Sequence, residues 1–156
     1  MTQTTEINVL IAEDDDGHAL LIQEHLEDAG VHNPIRRFRD GAEAWDFLAG
    51  EGVGPQRAKR DSEKAYLLLL DIRMPRMDGV EVLRRIKAHA ELHALPVIML
   101  TTTDDPREVA ECYALGCNSY VTKPVNFADF SEVIKRLGLF ISVIAVTPLQ
   151  TLVQRT

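Results

Sequence analysis

The 156-residue chain is poor in the features that mark several large classes of protein. It has only two cysteines, and Cys112 and Cys117 stand five residues apart, which is neither a metal-binding nor a redox spacing. We therefore expect two buried thiols in a cytoplasmic protein rather than a disulfide framework. The longest apolar-rich run, residues 137–146, is shorter than the roughly 20 residues that cross a bilayer. The N-terminus lacks the pattern of a signal peptide, so we expect neither secretion nor membrane insertion.

Basic residues are missing from the first 35 positions. Those positions carry eight carboxylates, and the first basic side chain is Arg36. From there onward the chain has 17 basic and 16 acidic residues, so the N-terminal segment accounts for the whole acidic excess behind the net charge of −7. Proteins that bind nucleic acid present a basic face, and we therefore expect no direct binding of nucleic acid. An apolar content of 46% argues against a disordered chain.

Short apolar runs alternate with segments of helical periodicity along the chain. Each run reads as a strand, and each following segment begins near a capping residue and reads as a helix. Regular βα alternation with short connections predicts an α/β fold, with a doubly wound, five-stranded parallel sheet and helices on both faces. The segment 50–64, with three glycines and seven charges, is the exception and predicts a long solvated loop. The predicted strands are residues 7–12, 35–39, 66–70, 97–100 and 119–121.

Polar side chains follow four of the five predicted strands. Glu13 and Asp14 follow the first, and Asp71, Thr101 and Lys123 follow the third, fourth and fifth. Because the carboxyl ends of parallel strands share one edge of the sheet, we expect these side chains to meet in one pocket. Three close carboxylates repel one another unless a cation lies among them, and few carboxylates with several waters suit Mg²⁺. A phosphoryl group there would be matched by Lys123 and Thr101, with Asp71 as the nucleophile.

With these residues in this order and spacing, the chain resembles a response-regulator receiver domain. The resemblance covers roughly residues 6–137, and it implies a flavodoxin-like sheet with strand order 2-1-3-4-5. It also implies a protein of a two-component phosphorelay that accepts a phosphoryl group from a sensor histidine kinase. Such a protein assists its own phosphorylation and dephosphorylation but is not an enzyme that turns over a substrate. The motifs that carry the resemblance are Glu13-Asp14, Asp71-Ile72-Arg73-Met74-Pro75, Asp78-Gly79, Thr101, Tyr120 and Lys123-Pro124.

The resemblance implies a role for each residue of the expected pocket. Asp71 is the phosphoacceptor. Mg²⁺ is held directly by Asp14 and Asp71, through water by Glu13, and by the backbone carbonyl of Arg73. The ammonium of Lys123 pairs with the carboxylate of Asp71 and then with a phosphoryl oxygen. The peptide bond between Lys123 and Pro124 is expected to be cis.

The resemblance also implies a conformational switch and three modulating positions. Thr101 moves to hydrogen-bond the phosphoryl group, and Tyr120 turns inward as Thr101 moves. Arg73 stands two residues after the phosphoacceptor, and Thr103 stands two residues after the switch threonine. Both side chains are expected near the path of the hydrolytic water, and Thr102 is expected to restrict access to the phosphoacceptor.

The chain beyond residue 137 is almost uncharged. Within residues 137–156 the only charged side chain is Arg155, so a monomer would expose much apolar surface. We expect residues 1–137 to form a receiver domain and residues 138–156 to form a helix extension and arm that make a homodimer; the alternative is that the arm folds back on its own domain. The last helix is expected to bury Phe127, Phe130, Ile134 and Leu137, and the dimer interface to include Leu139, Phe140, Val143, Ile144 and Leu149.

Two further comparisons refine the expected function. The long loop and the apolar tail resemble the small regulators paired with bacterial phytochromes, which implies a phytochrome as the kinase. With only 33 residues after Lys123, we expect a single-domain regulator. The alternative function is an aspartate-nucleophile, Mg²⁺-dependent phosphohydrolase. Those enzymes usually carry a second aspartate two residues after the nucleophile, and here that position is Arg73.

Overall fold

A computed structural model of the chain describes residues 6–50, 59–144 and 148–149. Five parallel strands form one sheet in the order β2-β1-β3-β4-β5, which confirms the predicted fold class and strand order. The strands are β1 (Ile7–Ala12), β2 (Ile35–Phe38), β3 (Ala65–Leu70), β4 (Val97–Thr101) and β5 (Ser119–Thr122). The helices are α1 (Asp16–Asp28), α2 (Gly41–Ala49), α3 (Gly79–Ala88), α4 (Pro106–Leu115) and α5 (Phe127–Val143).

The sheet is buried on both faces, which explains the continuous apolar runs of its central strands. Along β1, Leu10 packs into the core on one face and its neighbour Ile11 into the core on the other. The first core, here called the α2–α4 core, includes Trp45 of α2 and Leu83 of α3. The second, here called the α1–α5 core, includes Ile134 of α5. The helices therefore cover both faces, as predicted.

Side-chain caps fix where the helices start beside the carboxyl edge of the sheet. Asp15 accepts a hydrogen bond from the backbone N–H of His18 at 2.9 Å and so caps α1. Asp40, Asp78 and Asp105 cap α2, α3 and α4 in the same way. These caps satisfy backbone donors that the first helical turn leaves free, and they hold the helix starts close to the strand ends.

The start and the end of α5 depart from expectation. Phe130, Ile134 and Leu137 are buried as predicted, but Phe127 is 64% exposed, so its predicted place in the core is wrong. Phe127 is the first residue of the helix, and its ring makes an edge contact with His25 at a centroid distance of 5.8 Å. The helix continues to Val143, so the boundary predicted at residue 137 lies inside it.

Two other expectations concern segments that the structure describes only in part. Residues 51–58 of the predicted loop, and residues 145–147 and 150–156 of the predicted extension and arm, lie outside the described residues. Within the parts of the chain that the structure covers, no helix has both the length and the apolar character needed to cross a membrane.

Candidate functional site

Three carboxylates converge where β1 and β3 end. The two strands pair in register up to Ala12 and Leu70, so the residues that follow emerge side by side. Glu13, Asp14 and Asp71 each place one carboxylate oxygen within 4.8 Å of the others, and we call this group the acidic cluster. Asp71 and Glu13 are buried whereas Asp14 is exposed, so the cluster opens to solvent on one side. Such a set of oxygen donors suits a hard divalent cation.

Lys123 reaches this cluster from the end of β5. Its side chain is buried, and Nζ donates a hydrogen bond to Asp71 Oδ2 at 3.0 Å and another to Glu13 Oε1. Lys123 is itself held in place because its backbone N–H donates to the carbonyl of Thr101 at 2.7 Å. The bond to Pro124 is trans, so the expected cis bond is wrong. The flexible side chain of Lys123 reaches both carboxylates from a trans backbone.

The surroundings of Glu13 in the pocket shift the pKa of its carboxyl group. Burial raises the pKa of the Glu13 carboxyl to about 7, although the ammonium of Lys123 acts to lower it. The carboxylate of Asp71 has a further hydrogen-bond donor besides Lys123, because its Oδ1 accepts a hydrogen bond from the backbone N–H of Ile72 at 2.8 Å. One lysine therefore faces two buried carboxylates, and the cluster can take up further positive charge.

Thr101 supplies an unpaired polar atom at the end of β4. The residue is fully buried, and its hydroxyl Oγ1 has no hydrogen-bond partner among the described residues. Leaving a buried hydroxyl unpaired is costly unless a ligand pairs with it. The acidic cluster, Lys123 and this free hydroxyl are the groups that a phosphoryl group with its metal ion requires.

Tyr120 is directed towards the loop between β4 and α4. Its hydroxyl donates a hydrogen bond to the backbone carbonyl of Thr103 at 2.7 Å, and burial raises the pKa of the phenol to about 12. The side chain of Tyr120 is therefore half-buried in this structure, with its hydroxyl bonded to that loop. The movement of Thr101 and Tyr120 between two states stays a prediction.

Two of the three predicted modulating residues, Arg73 and Thr103, are linked by polar contacts through Glu108. Arg73 is exposed and its Nη2 donates to Glu108 Oε1 at 2.8 Å. Thr103 donates through Oγ1 to Glu108 Oε2 at 2.6 Å. Thr102, next to Thr101, is exposed. The predicted metal ligation by the backbone carbonyl of Arg73 stays a prediction.

Two residues at the pocket, His18 and Glu108, were not predicted from the sequence. His18, in the first turn of α1, places Nδ1 at 3.3 Å from Lys123 Nζ and 3.7 Å from Glu13 Oε1. The capping residue Asp15 three positions earlier was the available signal, because it fixes which turn of α1 meets the strand ends. Glu108 fits the pattern of a helix start, but its carboxylate binds the side chains of two loops.

The loop that follows Asp71 is anchored at both ends. The backbone N–H of Gly79 donates to the carbonyl of Ile72 at 2.8 Å. Arg76 donates two hydrogen bonds to the buried carboxylate of Asp40, at 2.9 and 3.0 Å, and has a left-handed φ of 65°. These contacts hold the loop after Asp71 against the start of α2.

The predicted interface residues fall into two groups. Leu139, Phe140 and Val143 are 62%, 50% and 79% exposed and are accessible to a partner. Ile144 is half-buried against the α1–α5 core. Leu149 is only 5% exposed and packs into the α2–α4 core of its own chain, so its predicted exposure for a second copy is wrong. At this position the chain folds back on its own domain, which was the alternative.

The fold and the pocket together define a class of protein. A parallel sheet in this order, with an acidic cluster, a lysine and a free threonine hydroxyl at its carboxyl edge, is that of a phosphoryl-accepting signalling domain. Residues 9–135 match the family model of the response regulator receiver domain, and the chain belongs to this family. Receiver domains are signalling modules that take phosphoryl groups from histidine kinases, so the phosphohydrolase alternative is not favoured.

Several similar proteins have experimentally determined structures. A response regulator receiver domain from Rhodospirillum rubrum is 43% identical, with a TM-score of 0.82 over 90% of this chain and 97% of that one. The phosphorylated cyanobacterial phytochrome response regulator RcpA is 31% identical, with a TM-score of 0.78 over 94% of this chain and 99% of that one. Response regulator Rcp1 of Synechocystis is 33% identical over 85% of this chain and 86% of its own length. Its Mn²⁺-bound crystal structure has a TM-score of 0.79 at 29% identity, over 90% of this chain and 98% of that one.

Proposed function

We propose that this protein is a response regulator that accepts, on Asp71, a phosphoryl group from the phosphohistidine of a sensor histidine kinase. The observation that carries the proposal is the buried pair of Asp71 and Lys123, 3.0 Å apart, beside the unpaired hydroxyl of Thr101. In the transfer, a carboxylate oxygen of Asp71 bonds to phosphorus while the bond from phosphorus to the histidine nitrogen breaks. Lys123 offsets negative charge on the phosphoryl oxygens throughout.

The acidic cluster is the proposed site of Mg²⁺. Glu13, Asp14 and Asp71, with the backbone carbonyl of Arg73, would hold the ion, which supplies charge neutralisation during phosphoryl transfer. The convergence of the three carboxylates and the Mn²⁺-bound structure of Rcp1 support this assignment. Glu13 is bonded to Lys123 in this structure, so metal binding has to share or replace that contact.

Thr101 and Tyr120 are the proposed switch. The unpaired hydroxyl of Thr101 is available to donate to a phosphoryl oxygen, and such a bond draws the end of β4 towards Asp71. Tyr120 contacts the same loop through the carbonyl of Thr103, so a shift of that loop reaches the surface between α4 and β5. The same pocket groups assist both phosphorylation and its reversal by water, with Arg73, Thr102 and Thr103 modulating the second reaction.

The sensor histidine kinase is proposed to dock on α1 and the start of α5. Leu20, Val125 and Phe127 are 58%, 107% and 64% exposed, and Val125 lies two residues after Lys123. Exposed apolar side chains beside a reactive pocket fit a partner that must approach it. The similarity to RcpA supports a phytochrome as the kinase. A cytoplasmic location is part of this proposal, and the two buried free thiols are consistent with it.

Docking of the kinase can be tested separately from the phosphorylation reaction at Asp71. Leu20→Asp and Val125→Asp are expected to slow transfer from the kinase but not labelling by a small phosphodonor such as acetyl phosphate. Ala90→Asp, at an exposed site just beyond the C-terminal end of α3, is the control and is expected to leave both rates unchanged. Equal kinase transfer in all three variants would contradict docking on this surface.

The chain is proposed to consist of a receiver domain, residues 1–137, and a C-terminal extension, residues 138–156. Two copies are proposed to form a homodimer through α5 and this extension. A largely apolar groove of about 360 Å³ lies between the β5 edge of the sheet and α5, beside the exposed Phe140. The groove is lined by Ile98, Ser119, Val121, Val133, Arg136, Leu137 and Phe140. We expect sedimentation to show that the wild-type protein is a dimer. The double variant Phe140→Asp/Val143→Asp is expected to be a monomer, whereas the control variant Leu20→Asp is expected to remain a dimer. A wild-type monomer, with and without phosphorylation, would contradict this proposal.

The phosphoacceptor itself is tested by Mg²⁺-dependent transfer of label from a panel of histidine kinases that includes phytochromes. Wild-type protein is expected to take up label, and Asp71→Asn is expected to lose it. Asp104→Asn, an exposed aspartate near the same edge of the sheet, is the matched control and is expected to keep the wild-type rate. Uptake by Asp71→Asn at the wild-type rate would show that the assignment is wrong.

A further inference from the structure

Glu108 joins the two loops that flank the phosphoacceptor pocket. One carboxylate oxygen accepts from Arg73 of the β3–α3 loop at 2.8 Å, and the other accepts from Thr103 of the β4–α4 loop at 2.6 Å. The backbone carbonyl of Thr103 in turn accepts from the hydroxyl of Tyr120 at 2.7 Å. A continuous chain of polar contacts therefore leads from the residue two after Asp71 to the proposed switch tyrosine.

Both oxygens of Glu108 are engaged with side chains, although its position predicts a different contact. Glu108 is the third residue of α4, where a glutamate commonly accepts from the backbone N–H of the capping residue. Here the N–H of the cap, Asp105, points instead to Thr103 Oγ1 at 3.5 Å. The Glu108 side chain is 20% exposed and is thus held in place, whereas Arg73 is 67% exposed and can leave the pair.

We propose that Glu108 is a positioning residue which holds Arg73 away from Asp71, and that a phosphoryl group on Asp71 competes with Glu108 for this guanidinium. The proposal rests on the proposed function. Arg73 lies on the same loop as Asp71, and guanidinium groups bind phosphate oxygens in a planar, bidentate geometry. A phosphoryl group offers more negative charge than one carboxylate. An ion pair with one exposed member is weak enough to be exchanged for such a group.

Exchange of Arg73 would carry a signal away from the pocket. Once Arg73 leaves, Glu108 keeps its bond to Thr103, and the contact that ties the β3–α3 loop to α4 through Arg73 is lost. Thr103 also holds Tyr120, so the β4–α4 loop, the start of α4 and Tyr120 would respond together. In this account the contact between Glu108 and Arg73 stabilises the unphosphorylated state.

The test measures the binding of beryllofluoride, a phosphoryl analogue, in the presence of Mg²⁺ by fluorine NMR and calorimetry. Glu108→Gln and Glu108→Ala are expected to bind it roughly two- to fivefold more tightly than wild type, because Arg73 no longer has to leave an ion pair. Glu111→Gln is the matched control. Glu111 lies on the same helix and pairs with Arg84 at 2.9 Å, remote from the pocket, and its loss is expected to leave the affinity unchanged.

The competition for Arg73 is isolated by a double-mutant cycle. In an Arg73→Gln background, Glu108→Gln is expected to have no effect on beryllofluoride affinity. Unchanged or weaker binding in both Glu108 variants, or an equal gain in the Arg73→Gln background, would overturn the proposal. Wild-type binding that Asp71→Asn abolishes would keep the proposed function intact in either case. Absence of binding to wild type would instead contradict the proposed function.

Discussion

Lys123 and Asp71 lie 52 residues apart in the chain and are joined by a buried ion pair, with Nζ 3.0 Å from Oδ2. The same ammonium binds Glu13, so one cation serves two buried carboxylates. Burial of the two carboxylates without a cation would be strongly unfavourable. The lysine is thus part of the fold of the pocket as well as of its proposed chemistry.

Replacing Lys123 is expected to destabilise the protein and to stop phosphoryl uptake. Lys123→Met leaves Asp71 and Glu13 buried without their shared cation, which is expected to cost about 3 kcal/mol of unfolding free energy. Mg²⁺ is expected to restore part of this loss, because it neutralises the same carboxylates. Urea unfolding with and without Mg²⁺ measures both effects. A Lys123→Met protein as stable as wild type in the absence of metal would contradict the assigned role.

The stability of the metal-free protein is expected to fall as the pH rises towards 8. The pKa of Glu13 is about 7 in the folded protein, above its ordinary value of 4.5. A raised pKa means that the folded state holds the proton more tightly, so this contribution to stability is complete below pH 4.5 and is lost as the pH rises through 7. Urea unfolding at several pH values, compared between wild type and Glu13→Gln, measures it. The difference in unfolding free energy between the two proteins should grow with pH. A difference that stays constant with pH would contradict a raised pKa of Glu13.

Mg²⁺ affinity is expected to increase with pH over the same range. The metal needs the ionised form of Glu13, and below a pKa of about 7 the metal competes with a proton. The apparent affinity should therefore rise by up to about tenfold per pH unit below that value and level off above it. Calorimetric titration between pH 6 and 8.5 measures the slope. Glu13→Gln should flatten it, and an unchanged slope in that variant would assign the pH dependence to another group.

Gly79 is expected to tolerate no side chain. A Cβ at this position would collide with the backbone carbonyl of Asp71, since the first turn of α3 packs directly on the phosphoacceptor loop. Gly79→Ala is expected to lower the unfolding free energy by about 2 kcal/mol and to slow phosphoryl uptake. Gly17→Ala, in the first turn of α1, meets only the side chain of Asp15 at 3.2 Å and is the matched control. Equal stability of the two variants would contradict this packing.

The fold and most of the pocket could be predicted from the sequence because both follow from the geometry of parallel strands. Once the apolar runs are identified as parallel strands, the residues after them must share one edge of the sheet. Glu13, Asp14 and Asp71 converge for this reason, and Lys123 joins them. The acidic excess of the first 35 residues includes two of the three carboxylates of the cluster.

The remaining features depend on side-chain directions that residue spacing leaves open. His18 and Glu108 lie in the first turns of α1 and α4, and whether such side chains face the pocket depends on the angle at which each helix leaves its strand. Phe127 has the spacing of a core residue but is the first residue of α5 and is exposed. Leu149 is apolar whether it meets a second copy or its own core, and only the path of the chain distinguishes the two.

The central claim is that Asp71 is the phosphoacceptor, and the most direct measurement is mass spectrometry of the protein after treatment with acetyl phosphate and Mg²⁺. Wild-type protein and Asp104→Asn are expected to gain the mass of one phosphoryl group, located on the peptide that contains Asp71. Asp71→Asn is expected to gain none. A phosphoryl group on Asp71→Asn at the wild-type level, or one located on another residue of the wild-type protein, would contradict the account.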